Sequence, residues 1–491
     1  MNIIIPATGI GKRFKEAGYR DLKPFIEVKD DKVILDYVIE CFDMLRDVFY
    51  FIVRESEKNK FENFIQSRKI NAEIIIYEGA KLGPAGSLYG VVAKLQDIMN
   101  EEVIISYCDF GQEWSYGDFL TFVQQNQEAQ GIIPCYTGYH PHLTPLENVY
   151  AACKVHENSF KVYKVIEKFY SDNKFQEYYS SGIYYFKTLK LAIEAIQKQM
   201  ESQDMIAGEY YISTTNNYLK NTLCFPFIKR FYQFGTPKDF EYAKYKLNHQ
   251  DFNSESIKID NTVILAAGRG ERFFNVGVKQ PKPFLPLGKS TLIENIIGSL
   301  KKVETDIVCV GAQDHQIYWS NVDQKVRLIE PNKIGAAYSY KTACGDLEGD
   351  VLILSCDLMA KYINSEFKKM QKKYEIIIFV AKATQFNEDN PFHFAWIQGK
   401  NGNVSNISIK KREDNADLVL IGSFYFKENS LLLKYIDRIF KEDIRTNGEF
   451  YIDNALKLIH ETHAIGYVVV DDYFSFGTPE EYYENAYWFN G

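Results

Sequence analysis

At 491 residues the chain is too long for one ordinary core and fits two to four domains of about 100–200 residues each. Its 46% hydrophobic content supplies buried interiors, while a formal charge of −8 without a basic tract offers nucleic acid or an anionic membrane no electrostatic hold. Any phosphate binding must therefore come from a focused site. No apolar run approaches the ~20 residues that cross a bilayer, and "MNIIIPATG" lacks the basic start of a signal peptide, so the expected compartment is the cytoplasm. The eight cysteines form no Cys-x-x-Cys pair, which predicts reduced, mostly buried thiols rather than disulfides or zinc.

In chain order, "NIIIPA" (2–7) predicts a buried first strand. A glycine-rich turn with Gly9, Gly11 and Arg13-Phe14 follows, then Lys23-Pro24-Phe25 and an amphipathic helix in "VILDYVIECFDML" (33–45). Beyond it come "YEGAKLGPAGSLYG" (77–90), "VIISYCDF" (103–110), "GYHPH" (138–142), "VIEKF" (165–169), "SSGIYYFK" (180–187), "GEYYIS" (208–213) and "FYQFGTPKDFE" (231–241). The polar stretch 246–261 reads as a connection. A second series then begins: "NTVILAA" (261–267), "STLIENIIGSLKKV" (290–303), "IEPNKIGAAYSYKT" (329–342), "VLILSCDL" (351–358), "LIGSFYFK" (420–427), "GEFYID" (448–453) and "YFSFGTPEEYY" (473–483).

The second series repeats the first. Gly268 stands 259 positions after Gly9, and Lys282 stands 259 positions after Lys23, so the two loops align without a gap. Later segments drift slightly in offset, as loops do when the elements between them persist. Two homologous domains are expected over 1–247 and 259–491, joined by a linker over 248–258. Strands alternating with helices predict a mainly parallel, doubly wound sheet in each, with ligands beyond the carboxyl ends of the strands.

Glycines after a buried strand let backbone N–H groups approach phosphate oxygens, and Arg13 with Lys23, or Arg272 with Lys282, adds two cations. The loop is not a Walker A sequence, because neither copy ends in Gly-Lys-Ser/Thr. Nor is it a dinucleotide fingerprint, because arginine stands where a third glycine belongs.

Gly-x-Gly-x-Arg-Phe after the first strand, followed by Pro-Lys-Pro, which the first copy varies with Leu22 in place of the first proline, resembles the signature of nucleotidyltransferases that activate sugar phosphates or phosphocholine-like alcohol phosphates. The first copy resembles in particular transferases of bacterial capsule and surface-polysaccharide clusters, through "YCDF", "GYHPH", "IEKF", "SSGIYYF", "GEYYIS" and "FGTP". The resemblance covers nearly the whole chain, twice. It implies α/β architecture, with two homologous Rossmann-like nucleotidyltransferase domains, each a mixed, mainly parallel sheet flanked by helices. It also implies attack of an acceptor phosphate on the α-phosphorus of a nucleoside triphosphate, CTP preferred, with pyrophosphate leaving and Mg2+ as cofactor. The other partner is a phosphorylated small molecule.

Residue by residue, the resemblance makes Arg13, Lys23, Arg272 and Lys282 the catalytic cations. Nucleotide binding falls to Ala7, Gly9, Gly11, Gly83, Gly86 and Ser87 in the first copy, and to Ala266, Gly268, Gly270, Gly335 and Ser339 in the second. Asp109 and Asp357, each closing an apolar strand, are the expected metal ligands, joined by Asp472 near the second Gly-Thr-Pro. The first copy departs here, with Lys229 and Arg230 in the corresponding place. Acceptor binding falls to Glu167, Lys168 and Glu209, and to Lys410 and Glu449; Ile409 replaces the glutamate of the Glu-Lys pair. His140 and His142 lack a third ligand and read as a substrate-side loop rather than a zinc site. Two alternatives stand beside this reading: that one copy is a non-catalytic binding domain, or that the chain is a glycosyltransferase of related fold. The latter normally needs Asp-x-Asp, whereas "CDF" and "CDL" carry one aspartate each.

Overall fold

The computed structural model describes every residue except 145–149, 157–158, 250, 384–386, 388–390, 414–415, 471–472 and 490–491. The chain forms two compact units, Met1–Asn248 and His249–Gly491.

The first unit is built on a ten-stranded sheet. At one side Ala72–Ile76, Val48–Val53, Asn2–Pro6 and Val103–Ser106 pair in parallel. Ile183–Phe186 then joins antiparallel to Val103–Ser106, and the sheet continues through Gly131–Tyr136, Thr222–Phe225, Lys161–Ile166, Ala152–Val155 and Tyr178–Ser180. Parallel pairing is thus concentrated in the half that carries the glycine-rich loop. In the first strand, Ile3 and Ile5 enter one core cluster while Ile4 enters another. Successive strand residues face opposite sides, so this strand is buried on both faces, which is why it reads as an unbroken apolar run.

The second unit repeats the arrangement in nine strands: Lys325–Ile329, Val303–Ala312, Ile257–Ala266, Val351–Ser355, Leu418–Phe426, Ile376–Lys382, Gly466–Val469, Asn403–Ile409 and Ala395–Lys400. The order matches strand for strand. The extra strand of the first unit arises because Tyr178–Ser180 and Ile183–Phe186 are separate, whereas Leu418–Phe426 runs through the same place unbroken.

The last helix of the first unit, Pro237–Asn248, ends where the polar connection begins. Part of that connection is held rather than loose. Phe252 is buried against the rings of Phe474 and Phe489, with centroids 5.2 and 5.6 Å away, and Ser254 N–H donates to the Ser299 carbonyl at 2.8 Å.

Among the described residues no helix is long and apolar enough to cross a membrane. None of the eight cysteines is in a disulfide, and all but Cys108 are buried.

Candidate active sites

In both units the glycine-rich loop leaves the first strand at its carboxyl end and turns into a short helix, Lys12–Glu16 or Glu271–Asn275. The residue before each helix, Gly11 at φ 60° or Gly270 at φ 64°, is left-handed, a conformation glycine adopts without steric cost. Ala7 and Ala266 are buried at the strand end, so the cavity wall is made by their neighbours Pro6, Thr8 and Gly9, or Leu265, Ala267 and Gly268.

The Arg-Phe dipeptide divides its labour. Arg13 and Arg272 are exposed and line the cavities, whereas Phe14 and Phe273 are each 2% exposed. The buried rings carry the loop lysines: Lys23 Nζ lies 5.0 Å from the Phe14 centroid and Lys282 Nζ 5.7 Å from that of Phe273.

Each lysine then meets the aspartate of the strand end. Lys23 Nζ donates to Asp109 Oδ2 at 2.7 Å, and Lys282 Nζ donates to Asp357 Oδ2 at 2.5 Å. Ser355 Oγ donates to the other oxygen of Asp357 at 2.5 Å. Burial pushes the Asp357 carboxyl up, but Lys282 and these hydrogen bonds outweigh it and hold the group below the usual carboxylate range.

A two-stranded ribbon brings the Gly-Thr-Pro turn beside the same carboxylate. Phe110–Glu113 pairs with Arg230–Gln233, and Leu358–Ala360 with Tyr473–Ser475. Phe234 N–H donates to the Asp109 carbonyl at 3.2 Å, and Phe476 N–H to that of Asp357 at 2.7 Å. Gln233 and Ser475 hold the turn itself: each accepts from the glycine N–H two residues on, at 2.9 and 3.4 Å. Arg230, where the sequence departs from the family, is buried and bonded to Glu113. Asp472 lies outside the described residues. Among the described residues no group of three or more His, Cys, Asp or Glu side chains is placed to hold a metal.

The segment expected to lie against the base is only partly at the cavity. Gly83 and Pro84 line the first cavity, but Gly86 and Ser87 are buried, and Ser87 Oγ donates to the Pro84 carbonyl at 3.0 Å. In the second unit Gly335 and Ser339 both line the cavity. Gly83 (φ 82°) and Gly335 (φ 118°) are required by a backbone crossing. A Cβ on Gly83 would come within 2.7 Å of the Tyr210 carbonyl oxygen, and one on Gly335 within 2.5 Å of that of Phe450. The crossing strap is hydrogen-bonded in the same way twice: Tyr210 N–H to Leu82 O at 2.9 Å, and Phe450 N–H to Ile334 O at 2.7 Å.

That strap and the end of the strand Lys161–Ile166 carry the residues expected to meet the acceptor. Glu167, Lys168 and Glu209 line the first cavity, and Glu449, Tyr451 and Asp453 the second. Lys168 and Lys410 both have left-handed backbones, at φ 55° and 57°, and both place Nζ 5.9 Å from the ring of the equivalent tyrosine, Tyr211 or Tyr451. Glu167 Oε2 accepts from Ser213 Oγ at 2.5 Å; burial raises its carboxyl above the ordinary range against the opposing pull of Ser213 and Lys168.

Sequence reading passed over two further pairs. Lys81 and Lys333 line the cavities two residues before Gly83 and Gly335, bonded to Glu209 at 2.8 Å and to Glu271 at 2.7 Å. The repeat itself carried that signal, since both copies have lysine at this spacing. Asp453 escaped notice because its counterpart is Ser213. His140 and His142 pack among Tyr136, Tyr150 and Phe231, and His142 Nε2 lies 3.0 Å from the Tyr136 hydroxyl. Burial pushes His140 down to about 4 and His142 lower as well, so both are neutral behind the cavity wall.

The cavities differ in lining. The first, about 350 Å³, is walled by the aromatic rings of Tyr107, Tyr136, Tyr150, Tyr184 and Phe231 among others; the second, about 690 Å³, has Phe273, Phe424 and Tyr451 as the aromatic residues among its described lining.

An α/β unit that follows its first strand with a loop of glycine, arginine and lysine, the lysine bonded to a strand-end aspartate, fits enzymes that handle nucleoside triphosphates. Residues 2–250 match the Nucleotidyl transferase family and residues 262–396 the MobA-like NTP transferase domain, and the chain belongs to the nucleotidyltransferase family. Among curated proteins it is similar to Bifunctional protein GlmU of Methanococcus maripaludis, 23% identical over 219 residues, covering 44% of this chain and 50% of that protein. The Methanococcus aeolicus protein of the same name is 26% identical over 219 residues, 42% and 48% of the two lengths. The chain thus spans about half the length of these relatives. Similar solved structures include a nucleoside-diphosphate-sugar pyrophosphorylase from Vibrio cholerae RC9, with TM-score 0.41 and 20% identity over 50% of this chain and 99% of that one. Another is the inositol-1-phosphate CTP transferase from T. maritima, with TM-score 0.37 and 17% identity over 46% and 95%.

Proposed function

We propose that the chain is a tandem, Mg2+-dependent nucleotidyltransferase that joins a nucleoside triphosphate, CTP preferred, to a sugar phosphate or alcohol phosphate. It works in the cytoplasm, making precursors of a surface glycan such as capsule or lipopolysaccharide. The observation that carries this reading is the duplicated pair of loop lysine and strand-end aspartate, Lys23 with Asp109 and Lys282 with Asp357.

In each unit an oxygen of the acceptor phosphate attacks the α-phosphorus, and the bond to the β-phosphate oxygen breaks to release pyrophosphate. Such transfers ask chiefly for positioning and charge neutralisation. The loop N–H groups and Arg13 or Arg272 meet the triphosphate, and Lys23 or Lys282 neutralises charge at the reacting phosphate. Lys168 or Lys410 draws the acceptor phosphate in. Hard carboxylate oxygens on Asp109 and Asp357 fit Mg2+, which takes one or two carboxylates and its remaining ligands from phosphates and water. When bound, the ion supplies Lewis-acid stabilisation of phosphate charge.

The different cavity walls favour different acceptors for the two units. A second reading, that the first unit only binds, draws on Arg230 being engaged with Glu113 where the second copy has Asp471 and Asp472. Purified protein with Mg2+, each common triphosphate and a panel of sugar and alcohol phosphates should release pyrophosphate; no release from any combination would refute the proposal. Asp109→Ala and Asp357→Ala should remove activity on different acceptors. If Asp109→Ala removes none, the first unit is the idle one.

A further inference from the structure

The two acceptor sides keep their lysine and exchange their carboxylate. In the first unit Glu167, at the end of the strand Lys161–Ile166, bonds to Ser213 at the start of the helix Ile212–Thr215. In the second unit both positions have changed. Ile409 stands in the place of Glu167 and packs against the core, while Asp453, at the start of the helix Ile452–His460, stands in the place of Ser213 and lines the cavity. A carboxylate has left the strand and another has entered from the helix, across the same lysine.

Charge balance gives the exchange its reason. Lys410 is pushed down by burial and by Arg272, and Asp453 and Glu449 push it back up. Without Asp453, two cations would share a half-buried site with Glu449 as their remaining counter-charge among the groups acting on Lys410. The backbone of that site has not moved: Lys168 and Lys410 share the left-handed conformation and the 5.9 Å distance to the following tyrosine ring.

We propose that Asp453 is the acceptor-positioning carboxylate of the second unit, holding Lys410 and meeting a hydroxyl or amine of the acceptor from the helix side, where Glu167 acts from the strand side in the first. The proposal rests on the nucleotidyltransferase reading above. It makes the acceptors of the two units differ in the direction from which a hydrogen-bond donor is met, since the carboxylate is carried by the strand end in one unit and by the adjacent helix start in the other.

The test uses the full chain carrying Asp109→Ala, so that pyrophosphate reports the second unit, with Mg2+, CTP and either glucose 1-phosphate or phosphocholine as probe. Asp453→Ser should raise the acceptor KM about tenfold or more, with kcat and the CTP KM within about threefold, as expected for lost binding rather than lost chemistry. The exchange variant Ile409→Glu/Asp453→Ser, which restores the arrangement of the first unit, should recover at least half of that loss. An acceptor KM within about twofold of the parent in Asp453→Ser overturns the proposal. Should the parent release no pyrophosphate with any triphosphate and acceptor of the panel, the nucleotidyltransferase reading fails for the second unit. Acetylation of Lys410, followed by mass spectrometry at pH 8, then still decides whether Asp453 holds the lysine. Asp453→Asn, with its fold checked by circular dichroism, should label about twofold faster or more because Lys410 loses a stabilising charge. Equal labelling overturns the proposal.

Discussion

Replacing Lys282 by methionine keeps the length of the side chain and its contact with Phe273 but strands Asp357. The pair is 2.5 Å apart with side chains 13% and 32% exposed, between the fully buried and the open-surface case. At an effective dielectric of about 20 the gross attraction at that distance is about 7 kcal/mol, and desolvation cancels most of it. Exposed pairs contribute ~0–1 kcal/mol, and breaking a buried pair costs ~3–5 kcal/mol. For this half-shielded pair we expect Lys282→Met to cost the second unit about 2 kcal/mol at pH 7, and Lys282→Met/Asp357→Asn to recover at least half. Because the Asp357 carboxyl is held below its ordinary range, its contribution is fully present above the ordinary carboxylate pKa of about 3.9 and fades as pH falls through the lower folded value. Urea unfolding followed by tryptophan fluorescence suits the measurement, since three of the four tryptophans, Trp319, Trp396 and Trp488, are in the second unit. Trp114, in the first, can be replaced by phenylalanine in all variants. A cost below about 0.5 kcal/mol, or additive effects in the double variant, would show that the pair is only a surface contact.

Further outcomes can be checked on the same protein. Gly83→Ala and Gly335→Ala should each destabilise their unit by about 2–4 kcal/mol, because the backbone is left-handed and a Cβ strikes the crossing strap; Gly268→Ala, where a Cβ meets nothing within 4 Å, should stay within about 1 kcal/mol in the same urea titration. Burial pushes Asp453 up to about 6 against the opposing pull of Lys410. The folded second unit therefore holds a proton that the unfolded chain has lost between about pH 4 and 6, and Asp453 costs stability increasingly through that window. Relative to wild type, Asp453→Asn should gain about 2–3 kcal/mol from pH 4 to pH 7, and a flat difference in paired denaturation curves would contradict the assignment. Lys168→Met should raise the acceptor KM of the first unit about tenfold or more while leaving CTP binding, read by calorimetry, within about twofold; equal loss of both would move Lys168 to the nucleotide side.

The duplication, the alternation of strand and helix and the loop chemistry were legible because they depend on local order: an apolar run, a glycine that must be left-handed, a cation at fixed spacing. Asp109 and Asp357 could be nominated for the same reason, each closing its own strand. Sequence order alone could not show that Lys23 and Lys282 meet those aspartates, 86 and 75 residues away, or that the Arg-Phe phenylalanine is the platform under the lysine. Gly83 and Gly335 were legible as small, but the partner that demands smallness is the backbone of Tyr210 and Phe450, brought across by the sheet. Gly86 and Ser87 show the converse, since adjacent helical residues point in different directions and only packing decides which reach the cavity. The exchange of Glu167 for Asp453 lies furthest from the linear text. Aligned copies show two unrelated substitutions, and only the folded chain, which sets a strand end against a helix start, makes them alternatives for one place beside one lysine.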